Sequence, residues 1–178
     1  YATSRRIYEC STPGIKGECR ITARYEASDQ RRYYVACPHC TALQLLTIDR
    51  LEWIAEAVAG YRCRACEAMI QPAQKRAMLA DAVDGGSARW VKCYPDPETG
   101  EVPSAVIGEA AAARWNARGS AGRCAGFSIN QLYSPFKPWS AILRERDEAE
   151  GNLAKERTFS QQVLGEAWEL AAEAVDQD

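Results

Sequence analysis

Two pairs of cysteines carry the strongest chemical signal in the sequence. They form the motifs Cys37-Pro38-His39-Cys40 and Cys63-Arg64-Ala65-Cys66, with 22 residues between them. Two residues between cysteines let a tight turn direct both sulfurs at one ion, and two such turns complete a tetrahedron with Zn–S distances of about 2.3 Å. The gap is slightly longer than the usual spacing of roughly 15 to 20 residues, which a longer hairpin absorbs. The sequence therefore predicts a zinc ribbon with the ligands Cys37, Cys40, Cys63 and Cys66.

Two other uses of these cysteines compete with zinc binding. Cys-Pro-His-Cys resembles the active-site motif of a DsbA-like thiol oxidase, in which a helix N-terminus lowers the pKa of the first thiol. That motif should begin a helix, whereas residues 41–48 have the composition of a strand, and the second pair would have no role. Disulfide pairing is disfavoured because nothing in the sequence marks the chain for secretion. We therefore favour a structural zinc site, since four thiolates leave no open position for catalysis.

The remaining cysteines and the histidine offer little further chemistry. Free cysteine is among the most often buried residue types, so four residues are predicted to be small buried hydrophobes: Cys10, Cys19, Cys93 and Cys124. His39 is the single histidine and lies between two predicted ligands. We assign it to the knuckle, which is our name for the tight turn formed by each Cys-x-x-Cys pair. A His-rich metal site is therefore excluded, and so is a Ser-His-Asp triad away from that position.

The elements that must position the cysteines are short strands and helices. Residues 31–36 are rich in β-forming side chains and lead into Cys37, and residues 60–62 lead into Cys63, so both knuckles are expected to follow strands of one small sheet. Further strands are predicted at 43–48, 89–94 and 127–133, and helices at 18–28, at 73–83 and from 138 onward, with divisions at Gly151 and Gly165. Residues 95–100 indicate a turn, and residues 106–123 fit either a helix or an exposed loop.

Length and charge limit the classes of function. At 178 residues and 47% hydrophobic content, the chain fits one domain, or one domain with a small satellite. The net charge of −2 argues against a wholly cationic nucleic-acid binder, although residues 1–36 carry 7 basic and 4 acidic side chains and residues 141–178 carry 4 and 10. Apolar runs stay shorter than the roughly 18 residues of a membrane span, and no signal-peptide pattern is present. We expect a cytoplasmic protein without a membrane segment, and the start at Tyr1 favours a piece of a longer chain.

Four separated stretches carry a family resemblance. They are residues 11–17, 25–40, 126–136 and 158–168. In this order they resemble the large terminase subunit of tailed phages, specifically the lambda-like GpA family. That resemblance implies an ATP-driven motor that packages DNA into procapsids and a metal-dependent nuclease that cuts concatemeric DNA.

The same resemblance implies a fold class and a domain organisation. The fold would be α+β: the C-terminal part of an α/β P-loop-type ATPase domain with an inserted four-cysteine zinc ribbon and a helical C-terminal connector. The end of the ATPase core would cover 1–34, the ribbon 35–72, and the α/β remainder with the connector toward a nuclease 73–178. The sequence contains no Gly-x-x-x-x-Gly-Lys-Ser/Thr motif and no nuclease-like carboxylate cluster. This chain alone is therefore expected not to hydrolyse ATP.

The resemblance also implies a role for Ser11 and Thr12, which fall where terminases carry the coupling motif. A hydroxyl can donate to a phosphate oxygen only while that phosphate is present, so loss of the γ-phosphate would release the loop. Composition alone favours a simple turn opening at these residues. For the parent protein, the resemblance implies ATP and Mg²⁺ as cofactors, and double-stranded DNA, a small terminase subunit and the procapsid portal as partners, in the cytoplasm of a bacterial host.

Basic residues near the N-terminus are candidates for contact with DNA phosphates: Lys16, Arg20, Arg31 and Arg32. The adjacent Tyr33-Tyr34 has the chemistry to stack on bases or sugars, although composition alone favours a solvated sheet edge. Two other classes of function stay open on the residues. One is a free-standing zinc-ribbon module that binds nucleic acid or protein, and the other is a Cys-Pro-His-Cys thiol oxidoreductase.

Overall fold

The computed structural model describes residues 7–81, 83–119 and 124–170 and has the mixed α+β character predicted from the sequence. Its helices are α1 (Arg20–Glu26), α2 (Lys75–Leu79), α3 (Glu109–Ala117), α4 (Trp139–Ala149) and α5 (Leu153–Thr158), and α5 continues into a π-helical turn over Phe159–Leu164. Short 3-10 turns cover Ile48–Arg50, Pro72–Gln74 and Gln131–Tyr133. The strands are β1 (Arg31–Ala36), β2 (Leu43–Gln44), β3 (Leu51–Ala55), β4 (Val58–Arg62), β5 (Met69–Ile70), β6 (Arg89–Val91), β7 (Val106–Ile107) and β8 (Phe127–Ser128).

The strands form two separate sheets. One has the order β6-β1-β2-β7 with antiparallel neighbours, and β8 adds to β1 in parallel. The other is the antiparallel arrangement β3-β4-β5. β1 ends directly before Cys37 and β4 ends directly before Cys63. The prediction of one small sheet is therefore wrong, because each knuckle follows a strand of a different sheet.

Both faces of the first sheet are covered because successive side chains of β1 point to opposite sides. Tyr34 is fully buried and packs in a smaller core with Val91 and Trp115. Val35 is also fully buried and contributes to a larger core on the other side. The two cores thus share β1 as their common wall.

Helix α4 packs against the three-stranded sheet. Its buried residues Trp139, Ile142 and Leu143 recur at the spacing of one helical face. The Trp139 ring centroid lies 5.8 Å from that of Tyr61 on β4. Trp53 of β3 donates from Nε1 to the Asp147 carboxylate of α4 at 3.0 Å. The second sheet is therefore part of the same body as the C-terminal helices.

The strand predicted at 43–48 is shorter than expected because side chains take over the hydrogen bonds of its backbone. β2 ends at Gln44. Beyond it, the amide of Leu46 donates to the hydroxyl of Tyr133 at 2.8 Å, and the amide of Thr47 donates to the hydroxyl of Tyr61 at 3.2 Å. The following strand, β3, was not predicted at all.

The C-terminal third departs from the predictions in a similar way. β8 covers only the start of the strand predicted at 127–133, because the Asn130 side chain accepts the amide of Leu132 at 3.0 Å and a 3-10 turn begins. Helical structure ends at Gly165, whose φ of 67° is a common helix stop. Residues 166–170 are not helical, so that part of the prediction is wrong, and residues 171–178 lie outside the described residues. The segment left open at 106–123 holds β7 and α3, while 120–123 also lie outside.

The other helices, strands and turns lie where the sequence predicted them. The helix α1, the strand β1 and the strand β4 are confirmed, whereas α2 ends at Leu79 and β6 at Val91, earlier than expected. The predicted turn is confirmed by the bond from Gly100 N to Asp96 O at 2.8 Å. None of the helices in the described ranges has the length and apolar character needed to cross a bilayer.

Candidate metal centre

Both cysteine pairs adopt the same turn. In each pair, the carbonyl of the first cysteine accepts from the residue after the second cysteine, and its amide donates to the residue beyond. The bonds are Thr41 N to Cys37 O (2.9 Å), Cys37 N to Ala42 O (2.9 Å), Glu67 N to Cys63 O (3.2 Å) and Cys63 N to Ala68 O (3.0 Å). Thr41 and Glu67 occupy equivalent positions and have left-handed φ values of 61° and 58°. The chain thus builds two knuckles of one geometry.

The four sulfurs form a compact cluster. The Sγ atoms of Cys37, Cys40, Cys63 and Cys66 all lie within 4.8 Å of one another. Cys37 Sγ is 3.9 Å from Cys66 Sγ, and Cys40 Sγ is 3.8 Å from Cys63 Sγ. A regular tetrahedron with Zn–S bonds of about 2.3 Å requires sulfur separations of about 3.8 Å. The donor set therefore fits a tetrahedral, thiolate-bound metal ion, and these separations are too long for disulfide bonds of about 2.05 Å.

Burial and backbone amides act on the charge of these thiols. Burial raises the pKa of the Cys37 thiol to about 12. At Cys63, burial acts in the same direction but is outweighed by hydrogen bonds from the amides of Cys66 and Ala65, so the pKa falls to about 7. The amides of His39 and Ala65 donate to Cys37 Sγ at 3.4 Å and to Cys63 Sγ at 3.3 Å. A metal ion bound here would displace the remaining thiol protons.

The cluster joins parts of the molecule that are distant in sequence. Cys37 and Cys63 are buried in the larger core, to which Trp139 and Ile142 of α4 also belong. Cys66 is exposed, so the second knuckle forms the solvent side of the site. An ion bound by these sulfurs would connect the end of β1 in one sheet with the end of β4 in the other.

Ser11 and Thr12 lie far from this cluster in sequence, in an exposed loop before α1. The Ser11 hydroxyl donates to the carbonyl of Thr12 at 2.9 Å. The loop continues into a short parallel bridge between Ile15 and Trp168. In this bridge the amide of Trp168 donates to Gly14 O and the amide of Lys16 to Trp168 O, both at 2.9 Å. The loop is thus tied to the segment that follows the π-helical turn.

Three of the four basic candidates for DNA contact form ion pairs within the chain. Lys16 pairs with Glu169, Arg20 with Glu9 at 2.9 Å, and Arg31 with the fully buried Asp29 at 2.7 Å. Arg32 is exposed and forms no ion pair with any described residue.

The tyrosines beside these residues are also largely engaged. Tyr34 is fully buried, so it does not offer a stacking face to solvent. Tyr33 is half-buried, with its ring centroid 5.1 Å from that of Trp90. The ring of Trp90 in turn contacts the half-exposed Phe127 at 4.9 Å. Phe127 therefore presents the exposed end of this aromatic row.

The predicted burial of the isolated cysteines is confirmed for Cys93 and wrong for two others. Cys10 and Cys124 are exposed, and Cys19 is half-buried. Hydrogen bonds from Thr22 and from the amide of Gly14 lower the pKa of the Cys19 thiol to about 7. The hydrophobic character of cysteine did not predict burial here, because Cys10 and Cys124 lie in segments without regular secondary structure.

Several polar residues around the cysteines were not foreseen. Gln44 is fully buried and accepts the amide N–H of Arg64 at 2.9 Å, and the Arg64 guanidinium donates to Asp49. One signal in the sequence was available, since Gln44 interrupts the otherwise apolar run of residues 43–46. A polar side chain inside such a run indicates a specific hydrogen-bond partner.

Comparison of the sequence with known proteins identifies the family of this chain. Residues 1–90 match the family model described as the ATPase domain of phage terminase large subunit gpA. The chain belongs to the phage terminase large subunit gpA family. Residues 124–178 match a second gpA model, described as the endonuclease domain.

Two curated relatives are similar to this chain over most of its length. The terminase large subunit of Escherichia phage lambda is 27% identical over 173 residues, covering 89% of this chain and 24% of that protein. The terminase large subunit of Enterobacteria phage P21 is 30% identical over 173 residues, covering 90% of this chain and 24% of that protein. The chain thus spans about a quarter of the length of these relatives. No solved structure shows a significant match.

The segments matched by the two gpA models contact each other in the fold. Phe127 of β8 pairs with Arg31 of β1, and the amide of Gly126 donates to the carboxylate of Asp29 at 3.1 Å. The bridge at Trp168 adds a second connection between the two segments. The start of the endonuclease match therefore shares a sheet with the ATPase match.

Proposed function

We propose that this chain forms the junction between the ATPase and endonuclease domains of a terminase large subunit, and that a structural zinc ion stabilises it. The observation that carries the proposal is the four-thiol cluster, whose cysteines follow strands of two sheets within the ATPase match, while β8 of the endonuclease match pairs with one of these strands, β1. Packing of the second sheet against α4 argues against a free-standing ribbon module. The segments proposed are the end of a P-loop-type ATPase core at 1–34, an inserted zinc ribbon at 35–72, and an α/β remainder with a helical connector at 73–178.

The proposed ion is bound by Cys37, Cys40, Cys63 and Cys66 and would supply a cross-link between the two sheets. Four protein ligands close the coordination sphere, so the ion has no open position for substrate. Zinc fits best because it accepts four thiolates in a tetrahedral arrangement without a preference for other geometries. The site is thus proposed to be structural.

The activity proposed for the whole protein is ATP-driven packaging and cutting of double-stranded DNA in the cytoplasm of a bacterial host. ATP and Mg²⁺ would be its cofactors, and a small terminase subunit and the procapsid portal its further partners. Family membership and the names of the two relatives support this assignment. The chain itself is expected to show no ATP turnover, because its sequence has no P-loop motif.

Ser11 and Thr12 are proposed to act as the coupling loop, which senses the γ-phosphate. Their exposure and the bridge from this loop to Trp168 support a path from the ATPase side to the endonuclease side. Contact with DNA phosphates is proposed for Lys16, Arg20, Arg31 and Arg32. Within this set, Arg32 is the strongest candidate because it is exposed and has no carboxylate partner among the described residues.

Metal content and thiol reactivity test the zinc proposal directly. We expect about one zinc per chain by elemental analysis, and four additional reactive thiols after chelation. The exposed thiols of Cys10 and Cys124 serve as an internal control, since they should react before chelation. A metal-free chain whose Cys37–Cys40 dithiol reduces insulin disulfides, and is itself oxidised to a labile Cys37–Cys40 disulfide, would overturn the proposal in favour of a thiol oxidoreductase.

A further inference from the structure

The second knuckle is held by side chains from the segment that follows the first knuckle. Arg64 lies between the two cysteines of the second knuckle, and its amide donates to Gln44 Oε1 at 2.9 Å. The Arg64 guanidinium donates to both carboxylate oxygens of Asp49 at 2.8 Å and also to the hydroxyl of Thr47. Residues 44–49 thus contact both the main chain and the side chain of Arg64.

The residue that closes the second knuckle is held as well. Glu67 has a φ of 58°, a conformation that non-glycine residues rarely adopt. Arg50 donates from Nη1 to both Glu67 carboxylate oxygens, at 3.0 and 3.2 Å. Arg62 donates to the main-chain carbonyl of Glu67 at 3.2 Å. These bonds oppose relaxation of the turn to a more common conformation.

The first knuckle has no comparable set of contacts. Among the described residues, no side chain other than the cluster thiols and the knuckle's own Thr41 hydrogen-bonds to residues 37–41. Its position is set by the strand pairs Val35–Gln44 and Ala36–Leu43 directly behind it. The side-chain contacts are therefore concentrated on the knuckle that carries the exposed ligand Cys66.

Gln44 is an unusual residue for this position if packing is its only role. It is fully buried, and its Nε2 has no hydrogen-bond partner among the described residues. A buried amide with one unpaired end is unfavourable compared with an apolar side chain. The bond from Arg64 to its Oε1 is the contact that an apolar side chain could not make.

We propose that Gln44 and Asp49 are positioning residues for the metal site, which hold the second knuckle in its ligating conformation before the ion binds. This inference rests on the proposed zinc function. A knuckle that is already ordered loses less conformational freedom on binding, so its affinity for the ion is higher. Partners outside the ligand set commonly change metal affinity by about 10- to 100-fold.

Zinc affinity of the whole chain tests this proposal, measured by competition with a chromophoric chelator. Asp49→Asn and Gln44→Leu are each expected to raise the Kd for zinc about 10- to 100-fold. The matched control is Glu109→Gln, because Glu109 also forms a two-pronged pair with an arginine, Arg89, and is 59% exposed where Asp49 is 58% exposed. The control should leave the Kd unchanged.

A purely stabilising role would give a different result. In that case, each substitution would lower the free energy of unfolding of the metal-free and zinc-loaded forms by equal amounts and leave the Kd unchanged. A wild-type chain that binds zinc and gives a tetrahedral Co²⁺ spectrum, with both variants within threefold of its Kd, would overturn the positioning role alone. A wild-type chain that binds neither metal would overturn the zinc function itself. If Gln44→Leu does not fold, Asp49→Asn decides, since its exposed carboxylate lies outside the core.

Discussion

The ammonium group of Lys75, the first residue of α2, is buried beside the start of α4. Lys75 is only 6% exposed, its ammonium donates to Lys137 O at 2.8 Å, and it lies 5.3 Å from the ring centroid of Trp139. Burial lowers the pKa of this ammonium to about 8. In the unfolded chain the pKa is about 10.4, so between these values the unfolded state binds one more proton than the folded state. The contribution of Lys75 to the free energy of unfolding therefore becomes more favourable as the pH rises through this window.

Lys75→Met is expected to stabilise the protein below pH 8 by about 1–2 kcal/mol, because relief of desolvation exceeds the loss of one hydrogen bond. The advantage over wild type should shrink from pH 8 upward and vanish near pH 10 to 11. Urea unfolding at several pH values measures it, with Lys155→Met at an exposed position as the control. A difference that stays constant across this range would contradict the lowered pKa.

At the scale of elements, the pairing of β8 with β1 depends on the absence of a side chain at Gly126. A Cβ built there would lie 1.9 Å from the Oγ of Ser28 and 2.8 Å from its Cβ. Ser28 is buried and cannot move freely, since its hydroxyl donates to Tyr25 O at 2.6 Å and accepts the amide of Gln30 at 3.1 Å. We expect Gly126→Ala to lower the free energy of unfolding by about 2–3 kcal/mol through overpacking.

Chemical denaturation checks this expectation against Gly119→Ala, where an added Cβ meets nothing within 4 Å. Adding Ser28→Gly to Gly126→Ala should recover part of the loss, because the clash is with Ser28 itself. Equal stability of the two alanine variants would show that β8 does not require this close approach.

Elements were predictable where their own residues carry the signal. The β-forming run of β1 and the Cys-x-x-Cys spacing are local, so the strand and the proximity of the four sulfurs followed from the sequence. The predicted strand at 43–48 was too long because distant hydroxyls, such as that of Tyr133, replace strand partners, and the one at 127–133 was too long because the Asn130 side chain accepts the amide of Leu132. The roles of Gln44 and Asp49 could not be assigned, because their contacts with Arg64 join residues that are 15 to 20 positions apart and form only in the folded chain.

At the scale of the whole molecule, the two cores differ in their relation to the cysteine cluster. The larger core contains Cys37 and Cys63 together with β4 and α4. The smaller core, built around Tyr34 and Trp115, contains none of the four cluster cysteines among its described residues. A structural ion should therefore stabilise the first core directly and the second only through β1, the wall that they share.

Hydrogen exchange with and without a chelator tests this division. Removal of the ion is expected to speed amide exchange in β4 and α4 by at least about tenfold, and in β6 and α3 by much less, because local opening follows the loss of local contacts. Cys66→Ser is the control, since a site that has lost one ligand should respond little to chelation. Equal acceleration of exchange in both cores would contradict this difference between the cores. It would mean that loss of the ion destabilises both faces of β1 and that the molecule opens as one cooperative unit.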